Sequence, residues 1–271
     1  MSSVILFASG KGGVGKSVLT ANLAVLLARA GRSVVLIDTD LGLRSQDLLL
    51  GLENSVVYDL MDAAAGRCDL SQALVEVPDV PRLQLLPAAQ FVRVKELDPR
   101  KLKKIISRLR KDYDFVLLDC PAGLERGLRN VLNAGTMLET VLVVTPDDLS
   151  IRDGEQVCSL LEKKRLPPPR LLVNRLQNDL IHAGEMYPAR VVAQILDLPL
   201  LGEVPEDPAF CLALLRRRLV ADFDCEAEKA LSRIAARLRG EERDFPDYGK
   251  RRTSFFRRHF SAVPREVKRF S

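Results

Sequence analysis

Between residues 10 and 17 the chain reads Gly-Lys-Gly-Gly-Val-Gly-Lys-Ser, a spacing of glycines, lysines and a hydroxyl that suits a polyphosphate. Glycines let backbone N–H groups turn inward around phosphate oxygens, and the start of a following helix adds positive potential. Lys16 can then reach the β and γ phosphates, while Ser17 offers its hydroxyl to Mg²⁺. The run fits G-x-x-x-x-G-K-[ST] in the context that pattern needs, because an apolar run from Val4 precedes it and a helical pattern from Ser17 follows. A triphosphate with Mg²⁺ is therefore expected on Gly12, Gly13, Val14, Gly15, Lys16, Ser17 and Val18.

Carboxylates stand where such a ligand would need them. Asp38 and Asp40 follow the apolar run from Ser33, at a strand end, which is where ligands sit in open α/β sheets. Phosphoryl transfer needs an oriented water and charge compensation more than a strong base, so a carboxylate near the γ phosphate suffices. Asp119 closes the run from Phe115, and a carboxylate there can hold Mg²⁺ directly or through water. Ser17, Asp38 and Asp119 are thus the candidate metal ligands.

Positioning these groups takes a sheet. Short runs rich in Val, Ile and Leu begin at Val4, Ser33, Leu83, Phe115, Thr140 and Arg170, and read as buried parallel strands. Residues 17–30, 99–111 and 150–165 have helical period between them. Such alternation gives an α/β fold, a mostly parallel twisted sheet with helices on both faces. Three prolines at 167–169 stop one helix and restart the chain as a strand. With 271 residues, 47% of them hydrophobic, the chain can bury one large core, and a last helical pattern over 226–239 closes a domain expected to span 1–242.

No run of about 18 apolar residues is present, and the N-terminus lacks the pattern of a secretory signal, so a cytoplasmic protein is expected. The five cysteines form no C-x-x-C pair, which argues against a disulfide frame, a zinc site or an iron–sulfur carrier. Net charge is concentrated at one end: residues 249–271 carry eight Lys or Arg against one Glu, +7 of the chain's +5, leaving −2 for the rest. An anionic surface is the implied partner.

After a polar linker at 243–249, a helix over 250–263 would place Phe255, Phe256, Phe260 and Val263 on one arc, with Arg251, Arg257 and Arg258 opposite. Phe in the apolar layer and Arg among anionic headgroups is the pattern of a helix lying in a membrane interface. A free helix of this length is marginal in water and would fold on the lipid, with a tail running on to 271. Nucleic acid is the less favoured surface, because the aromatic residues share one face. A solvated basic tail, or a helix docked on its own domain, is the plainer reading.

Together these motifs resemble the MinD family within the MinD/ParA class. The resemblance runs from Val4 to about Glu242 and includes DLGLRSQDLLLGLENSVVYDLMDAAAG, of which Leu41 to Gly66 is the discriminating part. It implies that Lys11 is the class's extra lysine, crossing a dimer interface to phosphates of the other subunit. It further implies that Asp40 positions the attacking water, making Lys11, Lys16 and Asp40 the catalytic group. Asp119 and Gly123 would belong to the second switch, D-[SC]-P-A-G. Asn174, Pro205, Glu206 and Asp207 match positions where relatives recognise adenine. Val18 departs from the family's usual Thr and loses a hydroxyl near the α phosphate.

Implied with the family are ATP and Mg²⁺, an ATP-bound homodimer, and a peripheral location on the inner face of the bacterial membrane. A division inhibitor of the MinC type and a MinE-like topological factor would be its partners. The competing reading is a ParA-like or flagellar-placement ATPase acting on DNA or polar cargo.

Overall fold

The computed structural model describes residues 2–90, 97–124, 126–135 and 138–246. The first half of the chain forms β1 (Ser3–Ala8), α1 (Lys16–Arg29), β2 (Val34–Asp38), α2 (Gln46–Leu49), α3 (Leu60–Ala65), α4 (Leu70–Ala73), β3 (Val75–Glu76) and β4 (Leu83–Leu86). There follow α5 (Pro99–Leu109), β5 (Phe115–Asp119), α6 (Arg126–Asn133), β6 (Leu138–Val144), α7 (Asp148–Lys163) and β7 (Arg170–Leu176). The last elements are α8 (Asn178–Ala183), α9 (Ala189–Leu196), β8 (Leu200–Pro205), α10 (Pro208–Leu215) and α11 (Glu226–Leu238).

The strands make one sheet in the order β3-β4-β2-β5-β1-β6-β7-β8, parallel throughout except where β3 meets β4. The expected α/β class holds. Alternating side chains split the core in two. Val4, Leu6 and Ala8 of β1 pack with α3 to α7 and α9, whereas Ile5 and Phe7 face α1 and α11. Strands buried on both faces need near-continuous apolar sequence, and β1, β2 and β5 have it.

β1 lies between β5 and β6, at the point where strand order reverses, so the loops after β1, β2, β5 and β6 gather at one crevice. Helix ends are set by local chemistry. Asp98 caps α5 ahead of Pro99, Asp147 caps α7 by accepting from the Ser150 amide, and Asp59 with Asp62 forms a capping box on α3. The prolines at 167–169 separate α7 from β7 as expected.

Beyond α11 the chain through 246 is neither helix nor strand. The expected interfacial helix with Phe255, Phe256, Arg257, Arg258 and Phe260 lies outside the described residues. No helix among the described residues is long and apolar enough to cross a membrane.

Candidate functional site

The phosphate loop joins β1 to α1, and steric demands account for two of its glycines. A Cβ on Gly10 would lie 2.3 Å from the Asp153 carbonyl oxygen, so the loop can rest on α7 only without a side chain there. Gly15 has φ +88°, a left-handed conformation, and a Cβ there would come 2.6 Å from Asn174 Nδ2. Gly15 is also the N-cap of α1 and supplies no side chain, leaving first-turn N–H groups free for an anion.

Lys16 is 5% exposed and donates to Asp119 Oδ1 at 2.5 Å. Burial works against its charge, but the ion pair and hydrogen bond with Asp119 outweigh this and raise its pKa. Asp119 accepts on its other oxygen from Gln46 Nε2 at 2.7 Å. Asp38 is fully buried, with Oδ1 taken by the Asp40 amide and Oδ2 by the amides of Ser45 and Gln46. Expected at the metal, Asp38 here organises the segment after β2.

Burial and the nearby Asp119 charge push the Asp38 carboxyl up to about 7, against the pull of those amides. Asp40 is partly buried, which raises its pKa, with Lys16 opposing and Asp119 adding to the shift. Asp119 and Asp40 thus both act on the one Lys16 ammonium, with Asp38 close behind them, a surplus of negative charge that a divalent cation would offset.

Lys11 sits apart from Lys16. It is at the rim, donating to Asp147 Oδ1 at 3.0 Å. Burial opposes ionisation of Asp147, yet Thr145, the Ser150 amide and Lys11 together hold it below the usual carboxylate range. Gly12, Gly13 and Val14 line an adjoining cleft of about 620 Å³ that also takes in Arg175, Gln177 and Glu206.

Asn174, buried at the end of β7, donates to the Val14 carbonyl at 2.8 Å and leaves Oδ1 without a partner. Asp207, expected at adenine, instead caps α10 through the Ala209 amide and holds the start of α11 through the Ala227 amide. Pro205 ends β8 and Glu206 lies beside Arg175. Ser17 and Val18 open α1 and are partly exposed.

Sequence reasoning missed Gln46, Asp147 and Arg175. Asp147 carried a readable signal, since Asp before Asp-Leu-Ser is a good N-cap. The other two are polar residues inside longer patterns and give none.

The geometry agrees with what comparison finds. Residues 5–220 match the CobQ/CobB/MinD/ParA nucleotide binding domain. The septum site-determining protein MinD of Helicobacter pylori is 40% identical over 262 residues, covering 94% of this chain and 97% of that protein. The chain belongs to the MinD family of septum site-determining ATPases.

The MinD of Bacillus subtilis is 39% identical, covering 89% of this chain and 90% of that protein. Among solved structures, a chain of the MinC:MinD cell division protein complex of Aquifex aeolicus is similar with TM-score 0.84 and 36% identity, covering 92% of this chain and all of that one. MinD from Pyrococcus horikoshii, complexed with Mg-ADP, has TM-score 0.77 and 32% identity, covering 88% and 96%. The chain is thus a P-loop ATPase of a nucleotide-binding family.

Proposed function

We propose that the chain is an ATP-dependent dimerising switch that places the division septum. In this reading ATP and Mg²⁺ pair two copies, the paired tails over 250–263 hold them on the inner face of the cell membrane, and the dimer recruits a division inhibitor of the MinC type. Hydrolysis, stimulated by a MinE-like topological factor, releases it.

The observation that carries the reading is the placement of the two loop lysines. Lys16 is buried on Asp119 inside the seat, whereas Lys11 waits at the rim on Asp147, its side chain 29% exposed. One seat is served by Lys16 alone. A lysine on the rim can meet phosphates held by a second copy and offset transition-state charge, as an arginine finger does. Leu43 and Leu48 after β2 and Leu149 at the start of α7 are exposed apolar residues that such pairing would cover.

The donors present fit a magnesium nucleotide. The unpartnered Asn174 Oδ1 suits the amine of adenine and not the carbonyl of guanine. Bound Mg²⁺ would neutralise charge between the β and γ phosphates. Lys16 moves from Asp119 to phosphate oxygens, which frees an Asp119 oxygen for the metal side of the site. Ser17 presents its hydroxyl from the first turn of α1, and Asp40 orients the attacking water.

For the tail, support comes from its Phe and Arg arcs and from the Helicobacter match, whose 94% coverage extends past α11. Two linked tails exceed one by about 10² or more in avidity. Co-sedimentation with anionic liposomes, comparing the full chain with one truncated after Tyr248 in ATP and in ADP, tests the switch. Only the full chain should pellet, and mainly with ATP. If neither pellets and duplex DNA is bound instead, a partition ATPase replaces this reading.

A further inference from the structure

Gln46, the first residue of α2, places a polar side chain beneath the metal side of the site. It is fully buried. Its Nε2 donates to Asp119 Oδ2 at 2.7 Å and to the Ser17 carbonyl at 3.1 Å, while its own backbone N–H donates to Asp38 Oδ2 at 3.1 Å. Both side-chain partners are acceptors only, which fixes the amide's orientation, because the flipped amide would set oxygen against oxygen. Oε1 therefore faces away from them and has no hydrogen-bond partner.

Filling this space with an amide is costly. A leucine of similar volume would spare the unmatched Oε1 but would strip the buried Asp119 Oδ2 of its donor. What the amide does instead is join three parts of the site: α1 through Ser17, the segment after β2 through Asp38, and the end of β5 through Asp119. Asp119 is held on one oxygen by Gln46 and on the other by Lys16. When Lys16 turns to phosphate, the grip on Oδ2 remains, so Asp119 can present only Oδ1.

We propose that Gln46 is the positioning residue of the magnesium site. It holds Asp119 so that a single carboxylate oxygen serves the ion, and its unmatched Oε1 is the acceptor for a water that the ion brings. The inference rests on the ATPase reading above and refines it. Partners behind metal-binding groups commonly set about 10- to 100-fold of metal affinity.

The test titrates the full chain with a fluorescent ADP analogue in Mg²⁺ and in EDTA, for wild type, Gln46→Leu and Gln46→Asn. Gln46→Leu should lose about 10-fold of the affinity gained from Mg²⁺, with binding in EDTA within about twofold of wild type. Gln46→Asn, which keeps the amide but shortens its reach, should fall between, and carries the comparison if Gln46→Leu does not fold. Electron paramagnetic resonance of Mn²⁺ in the ADP complex should show a metal dissociation constant raised by the same factor.

An unchanged Mg²⁺ gain would overturn the proposal. Equal losses with and without the metal would also do so, since they would make Gln46 a mere support of the loop. A wild-type chain whose ADP affinity ignores Mg²⁺ would overturn the underlying site reading as well, and the wild type alone reveals that outcome.

Discussion

Replacing Asp147 with Asn should tighten the ATP-bound dimer. Lys11 is tied to Asp147 at 3.0 Å, with side chains 29% and 48% exposed. An ion pair so open to water contributes about 0.2–1 kcal/mol. Asn caps a helix as well as Asp does, so Asp147→Asn keeps the bond from the Ser150 amide and removes the charge that holds Lys11 back. On the proposed reading, each dimer breaks two such contacts. Association should therefore gain about 0.4–2 kcal/mol, or about 2- to 30-fold in Kd.

Sedimentation equilibrium of the full chain without lipid, with a slowly hydrolysed ATP analogue, measures this directly. In ADP the variant should behave as wild type. Asp147→Ala serves as the control, since it also loses the cap and should melt earlier by about 1 kcal/mol. A dimer of Asp147→Asn that is no tighter than wild type would refute the reasoning. Either Lys11 would then reach phosphate without leaving Asp147, or Asp147 itself would contribute across the interface.

Two further outcomes follow from α11. Arg237 donates to the carbonyls of Leu201, Arg243 and Asp244 at 2.9, 2.9 and 3.0 Å, and lies 3.8 Å from the Phe245 ring centroid. Arg237→Ala should cost about 1–3 kcal/mol in chemical denaturation and speed proteolysis after residue 243, and Lys, which lacks the planar fork, should not rescue it. Gly202→Ala would put a Cβ 2.2 Å from Ile234 Cγ1 and should destabilise by about 1–3 kcal/mol. A double-mutant cycle with Ile234→Ala should show that the second change recovers part of that loss.

The central strands were legible because burial on both faces demands apolar runs, and all six expected runs became strands. Helices at 17–30, 99–111, 150–165 and 226–239 came within about two residues of α1, α5, α7 and α11, as the usual uncertainty of helix ends allows. Edges were less visible. β3 has two residues, and β8 interrupts its apolar pattern with Gly202 and Glu203. The short helices α2 to α4 and α8 to α10 have too few turns to show a period.

In the site, the loop could be read because its backbone demands specific residue types. The aspartates could be placed but not given tasks from sequence. Asp38 ends β2 as expected and Asp207 follows β8 by two residues, yet backbone amides claim both carboxylate oxygens of each. Which amides come within reach is a matter of tertiary approach, and no spacing along the chain encodes it.

The site holds each loop lysine on an aspartate that has a second task. Asp119 is also gripped by Gln46, and Asp147 also caps α7. If phosphate drew Lys16 away, Asp119 would be free to hold a metal ion without leaving its Gln46 anchor. On the proposed reading, a second copy drawing Lys11 outward would leave Asp147 its cap but take away a countercharge, so that the first turn of α7 would change its electrostatics and not its fold. Gly10 adds a steric link, because the loop meets the backbone of α7 at Asp153 with no room for even a methyl group. A rigid contact transmits displacement that a flexible one would absorb. Loop and helix are therefore mechanically linked at this contact.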